Sequence, residues 1–266
     1  MDKIAQKAIS SRDWYNFVAP MANLFPDLHP GGRAATDALL AMCSLKESDR
    51  VLDVGCGSGN TACRIAQEYG CQVVGIDRSE VMIAQAEKRA GALGVADRIT
   101  FQITDIFRTP FEDDTFDVAL FQSVLVPLPG DPAQALAEII RVVRLGGRIG
   151  ANEGTVVPEA PPEFHELMEK HPGIYHIFTP KTLRALFEDA GLRVAAMEET
   201  ESGGIPETSK MSLRNLLSFM VRVYPRILIR LIRDPRLREV SQIDDRLTKL
   251  GKQYIGYTLI VGQKAE

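Results

Sequence analysis

The chain has 266 residues, 45% hydrophobic and 25% charged, which suits one large α/β domain with an insertion, or two small domains, with ample buried core. A formal net charge of −4 argues against nucleic acid as a partner, and no uncharged stretch exceeds the 13 residues of Val118–Gly130, which holds two prolines and is too short to cross a bilayer. Met1–Lys7 lacks the apolar core of a secretory signal, so the expected location is cytoplasmic, and four cysteines without a C-x-x-C pair are expected to be reduced, mostly buried thiols.

Residues 1–47 form a leader containing Asp13-Trp14-Tyr15 and His29-Pro30-Gly31-Gly32, expected to be a helical cap. Val51–Val54 reads as the first buried strand, and Thr61–Glu68 begins a helix after a glycine turn. Gln72–Ile76 is the second strand, ending at Asp77. Ser79 caps a helix that runs to about Leu93, with Val81, Met82, Ala86 and Ala90 spaced for one apolar face. Ile99–Ile103 and Asp117–Phe121 are the third and fourth strands. Asp131-Pro132 opens a helix through about Val143, and Gly146-Gly147 turns the chain into a strand at Arg148–Ala151. Thr179-Pro180 starts a helix closed by Gly191, Leu192–Met197 is the sixth strand, and Tyr257–Val261 the last. Strands alternating with helices argue for a parallel sheet covered on both faces.

The most informative run is Val51-Leu52-Asp53-Val54-Gly55-Cys56-Gly57-Ser58-Gly59-Asn60: a strand that ends beside an acid and turns through three glycines into a helix. Glycine permits backbone angles closed to other residues and lets a ligand approach the main chain. Position 60 is Asn where a dinucleotide fingerprint wants a third, offset glycine, which discriminates against a nicotinamide oxidoreductase. Asp77 follows the second strand, Asp105-Ile106 the third, and Gln122-Ser123 the fourth, all on the carboxyl edge of the sheet. This ordered set resembles the class I S-adenosylmethionine-dependent methyltransferases, from about residue 48 to about 199. Within them it resembles the small-molecule group of ubiquinone and menaquinone biosynthesis. Phe111–Asp117 and Arg141–Arg148 add to the likeness, as the acidic approach to the fourth strand and the helix–turn–strand after it.

The resemblance implies a Rossmann-like α/β fold: a seven-stranded sheet with helices on both faces, a helical leader, and a helical insertion before the last strand. It divides the chain into a cap (1–47), a cofactor-binding core (48–199), an insertion (200–253) acting as lid or membrane-facing element, and a last strand (254–266) that returns antiparallel. It implies S-adenosyl-L-methionine as co-substrate and no metal. Gly55, Gly57 and Gly59 would offer backbone N–H groups to the methionine carboxylate, with Asp53 orienting the loop or meeting the ammonium. Asp77, with Arg78 beside it, would take the ribose hydroxyls, Asp105 and Ile106 the adenine, and Gln122 the methionine moiety.

Methyl transfer needs a base only where the acceptor starts protonated. The candidates are His29, His165, His171, His176 and Glu153, with His29 and His176 in regions that line acceptor pockets in relatives. Phe121-Gln122-Ser123-Val124 is not a D/N-P-P-Y/F tetrad, and no cysteine follows proline, which sets aside amide-nitrogen and RNA cytosine targets. Elimination and resemblance leave a small metabolite or lipid as acceptor. A protein that binds the cofactor or its product without catalysis is the rival reading; the oligomeric state stays open.

Residues 210–238 carry eight basic side chains against the single acid Asp234. Arg222, Arg226, Arg230 and Arg233 share one helical face amid many apolar residues, and Pro225 is expected to split the segment into two helices. Two readings stand: an interfacial helix pair on anionic lipid, giving peripheral membrane contact, or a helical lid.

Overall fold

The computed structural model describes residue 10, residues 29–200 and residues 224–265. Asp13, Trp14, Tyr15, Lys210, Arg214 and Arg222 lie outside the described residues. In chain order the elements are α1 (Gly32–Cys43), β1 (Arg50–Val54), α2 (Asn60–Tyr69), β2 (Gln72–Asp77), α3 (Glu80–Leu93), β3 (Ile99–Ile103) and β4 (Phe116–Gln122). There follow α4 (Pro132–Val142), β5 (Val143–Val156), α5 (Pro162–Lys170), α6 (Pro180–Asp189), β6 (Leu192–Thr200), α7 (Tyr224–Arg233), α8 (Pro235–Tyr254) and β7 (Ile255–Lys264).

The strands form one seven-stranded sheet in the order β3-β2-β1-β4-β5-β7-β6, parallel except for β7, which runs antiparallel to both β5 and β6. Central strands are apolar almost throughout because both faces are covered. On β1, Leu52 joins the core beneath α4 and α6, whereas Val51 joins the core beneath α1, α2 and α3. Local chemistry sets the helix starts. Ser79 accepts from the Met82 N–H at α3, Asp131 accepts from the Ala133 N–H at α4, and Thr179 and Thr182 form a reciprocal capping box at α6.

The structure corrects one expectation and adds to others. The strand expected at Arg148–Ala151 starts at Val143: Phe116 pairs with Val143 and Val118 with Arg148, so Gly146, at φ +70°, sits in a bulge rather than a turn. Helix α5 was not anticipated. With α8 it encloses a separate apolar cluster, Phe164, Leu167 and Met168 against Ile243 and Leu247. Pro225 lies in the first turn of α7, where proline is tolerated, and the part of the segment before Tyr224 lies outside the described residues; a further break comes at Asp234, whose side chain accepts from the Arg236 N–H ahead of Pro235. Within the expected leader, α1 packs Ala35, Leu39, Leu40 and Cys43 against the sheet as part of the core, and most of residues 1–28 lie outside the described ones.

The seat of α1 depends on Gly150. A Cβ there would stand 2.7 Å from Cys43 Sγ and 3.0 Å from Leu120 Cδ2. Gly150→Ala is therefore expected to cost about 1–3 kcal/mol, read as a lower denaturation midpoint at unchanged slope. An unchanged midpoint would mean that α1 can lift away freely.

Candidate active site

The site is built on the carboxyl edge, where strand order reverses between β1 and β4. After β1 the chain passes Gly55, Gly57 and Gly59 at φ of +65°, +52° and +76°. Gly55 also makes room: a Cβ there would meet a γ-methyl of Val124 at 2.7 Å. At Gly57 a Cβ would meet nothing within 4 Å, so the loop stands open on that side. The loop's own donors are largely engaged. Cys56 N–H bonds Ile76 O at 2.9 Å, Gly57 N–H bonds Asp77 Oδ2 at 3.0 Å, and Gly59 N–H bonds Cys56 O at 2.9 Å. Of the three glycines expected to offer amides to a ligand carboxylate, Gly57 and Gly59 thus have theirs engaged within the protein; the Cys56 and Gly57 bonds tie the loop to the end of β2, and the Gly59 bond closes the loop on itself.

Asp53 is buried and accepts from the Ala62 N–H in the first turn of α2. Its Oδ2 has no partner among the described residues, and burial pushes the carboxyl up to about 7. Asp77 accepts from Ser79 N–H at 2.8 Å through Oδ1 and from Gly57 N–H through Oδ2; burial raises its pKa while these bonds and the nearby Arg78 charge oppose the rise. Arg78 is exposed beside it. Asp105 is exposed and accepts from Phe107 N–H at 3.0 Å, and Ile106 packs half-buried against the core.

Gln122 belongs to a buried relay. Its Nε2 donates to Thr61 Oγ1 at 2.8 Å, and its Oε1 accepts from Thr36 Oγ1 at 2.9 Å. With its proton given to Gln122, Thr36 must accept from His29 Nε2, 3.0 Å away. His29 Nδ1 then carries the lone pair that faces Asn152 Nδ2 at 3.3 Å, and Asn152 Nδ2 also donates to Pro30 O at 3.0 Å. Both ring nitrogens of His29 are engaged, which argues against it as a base.

His171 is similarly committed. Its Nδ1 accepts from Gly173 N–H at 3.1 Å and its Nε2 faces Asp244 Oδ1 at 2.8 Å, tying α5 to α8. His165 is half-buried on α5, away from the sheet edge. His176 differs. Its Nε2 faces two carbonyl oxygens, Leu128 O at 3.0 Å and Gly130 O at 2.8 Å, so Nε2 must bear the proton and Nδ1 holds the basic lone pair. Its own N–H and that of Tyr175 donate to Val126 O at 3.1 and 2.9 Å, which hangs this segment on the loop after β4. Glu153, buried at the end of β5, accepts from three successive amides of that loop.

The structure thus gathers Asp53, the glycines, Asp77, Arg78 and Gln122 at one edge of the sheet, with Asp105 and Ile106 after its outer strand β3 and His176 held on the loop that follows β4. Thr36, Thr61 and Asn152 escaped the sequence reading. The signal for Asn152 was legible in principle, since Asn152-Glu153 puts two polar residues in succession directly after the buried apolar run Ile149–Ala151.

Asp53 has a thermodynamic consequence. Between its ordinary 3.8 and about 7, the folded protein holds a proton that the unfolded chain releases. Its contribution to stability is complete below the lower value and is lost as pH rises through about 7. Asp53→Asn should therefore raise the ligand-free Tm at pH 8, with the gain shrinking at pH 5. An equal Tm difference at both pH values would refute this.

Comparison with known proteins agrees with this geometry. The methyltransferase-domain family matches residues 45–191. The 27-O-demethylrifamycin SV methyltransferase of Amycolatopsis mediterranei is 32% identical over 184 residues, which are 67% of this chain and 66% of that protein. Among solved structures, the [4+2]-cyclase SpnF superposes with a TM-score of 0.75 at 23% identity, covering 97% of both chains. A S-adenosylmethionine-dependent methyltransferase from Geobacter sulfurreducens, solved with S-adenosylhomocysteine, does so at 0.71 and 23% identity, covering 93% of this chain and 97% of that one. At these identities the two structures speak to the fold. Sheet order, glycine loop and family match together make this chain a member of the class I S-adenosylmethionine-dependent methyltransferases.

Proposed function

We propose that this protein moves a methyl group from S-adenosylmethionine to a hydroxyl of a small, lipophilic acceptor, with His176 as general base. The observation that carries the proposal is the fixed tautomer of His176: two carbonyls hold Nε2–H and leave Nδ1 basic.

The cofactor half of the site fits the group in its chemistry. Gly57 faces open space, and the unpartnered Oδ2 of Asp53 offers a buried oxygen acceptor for an ammonium. Asp77 accepts from the amides of Gly57, Arg78 and Ser79 and keeps lone-pair capacity for a diol, and Asp105 and Ile106 pair a carboxylate with an apolar wall. Gln122, with its amide fixed from both ends, would contact the ligand through its remaining hydrogen or lone pair. Bound there, the cofactor supplies a methyl group already activated on a sulfonium. The protein's task is then to align the acceptor oxygen, exclude water and remove one proton. A hydroxyl acceptor agrees with the O-methylation named in the rifamycin relative.

The basic segment supports a lipophilic acceptor. No helix among the described residues is long and apolar enough to cross a membrane. On α7, however, Leu228, Ile229 and Ile232 stand exposed beside exposed Arg230 and Arg233. Apolar and cationic side chains together suit the headgroup region of an anionic bilayer.

Calorimetric titration with S-adenosylhomocysteine should show one site of low-micromolar affinity, about −8 kcal/mol, weakened at least tenfold by Asp77→Ala and unchanged by His176→Ala. Across a panel of lipophilic phenols and alcohols, His176→Ala should cut turnover by roughly 10²–10⁴-fold. Full turnover in that variant would end the assignment of the base, and tight binding without turnover on any acceptor would favour the non-catalytic reading. Sedimentation with phosphatidylserine-containing vesicles should capture the protein and phosphatidylcholine vesicles should not, with loss of capture in Arg230→Glu/Arg233→Glu. Equal, negligible capture by both would leave α7 as part of a lid.

A further inference from the structure

Glu153 is a carboxylate with no exposed surface and, among the described residues, no cationic partner to account for it. Its ligands are main-chain amides. Oε1 accepts from Val124 N–H at 2.8 Å and Leu125 N–H at 2.9 Å, and Oε2 accepts from Val126 N–H at 3.2 Å. Burial pushes the carboxyl up to about 7 while the three donors hold it down. Three successive N–H groups converging on one side chain form a small anion nest built inside the fold.

The loop so held is one the chain would not adopt unaided. It leaves β4 through Ser123 at φ +54°, a left-handed conformation unfavourable for serine, and Ser123 N–H is fixed to Asn152 O at 2.9 Å. Two connections lead outward from it. On one side the Val124 side chain fills the space in front of Gly55, where a Cβ would come within 2.7 Å. On the other, Val126 O accepts from Tyr175 and His176 N–H, and Leu128 and Gly130 further along hold the His176 ring.

We propose that Glu153 is a positioning residue for methyl transfer: by fixing residues 124–126 it couples the cofactor loop at Gly55 to the segment that carries His176. The proposal rests on the reading of these two regions as the cofactor and acceptor sides of one site. Glutamine is the informative replacement. It keeps an oxygen for Val124 and Leu125 but turns an NH₂ toward the Val126 N–H, so the bond to the residue that holds the His176 segment is lost while shape is kept.

The test is hydrogen exchange by mass spectrometry at pH 8, with S-adenosylhomocysteine as probe, on wild type and Glu153→Gln, with calorimetry alongside. In the wild type the probe should slow exchange of residues 174–178 at least threefold. In Glu153→Gln, Val126 should exchange faster without the probe, and the probe should no longer protect 174–178, although its affinity changes less than threefold. A role confined to stability would lower Tm and affinity and leave the transmitted protection in place. Equal protection of 174–178 in both proteins overturns the coupling. Failure of the probe to bind wild type is a separate outcome, which removes the cofactor reading and this proposal with it.

Discussion

Helices that follow β1 and β4 leave the sheet on opposite faces, α2 packing with α1 and α3 and α4 with α6. Two neighbouring parallel strands whose continuations diverge cannot close over each other, so a crevice opens at their carboxyl ends. The rest of the site depends on that constraint. The glycine loop turns above β1, the loop 123–126 turns above β4, and their meeting at Gly55 and Val124 sets the floor between them. Positive φ at Gly55, Gly57 and Gly59 is what lets the first loop turn within so few residues and still enter α2 in register.

Polar groups carried into this crevice are the second organising force. Asp53, Asn152, Glu153, Thr36 and His29 are all buried, and burying such groups is costly unless they find partners. Most find them in two systems. The Thr61–Gln122–Thr36–His29–Asn152 relay joins α2, β4, α1 and β5, and the Glu153 nest joins β5 to the loop after β4. Such networks fix one arrangement of their members, because a half-satisfied alternative leaves donors or acceptors stranded in a low-dielectric interior. Two buried oxygens of this region, Asp53 Oδ2 and Asn152 Oδ1, have no hydrogen-bond partner among the described residues.

The helices beyond the sheet are held by a different logic. Helices α5 and α8 share an apolar cluster of their own and a His171–Asp244 contact, so the wall they form is one packed unit rather than a loose insertion. Helix α7 is joined to it through the cap at Asp234 and exposes apolar and basic side chains together.

The sequence by itself determined what neighbouring residues decide. Glycines that require left-handed backbone, Ser79, Asp131 and Thr179 as helix caps, and acids directly after apolar strands are local signals, and the structure keeps each of them. Thus the sheet and most of its helices were legible in advance, helix α5 excepted. The start of β5 was not, because a bulge depends on the strand opposite as well as on Gly146-Gly147. Nor was the division of labour among the histidines. His29 is committed by Asn152, 123 positions away, and Gln122 by Thr36, 86 positions away. His176 takes its tautomer from two carbonyls that only the folded chain brings to it. Backbone preferences are written in adjacent residues, whereas the pairing of buried donors and acceptors is decided when distant segments pack.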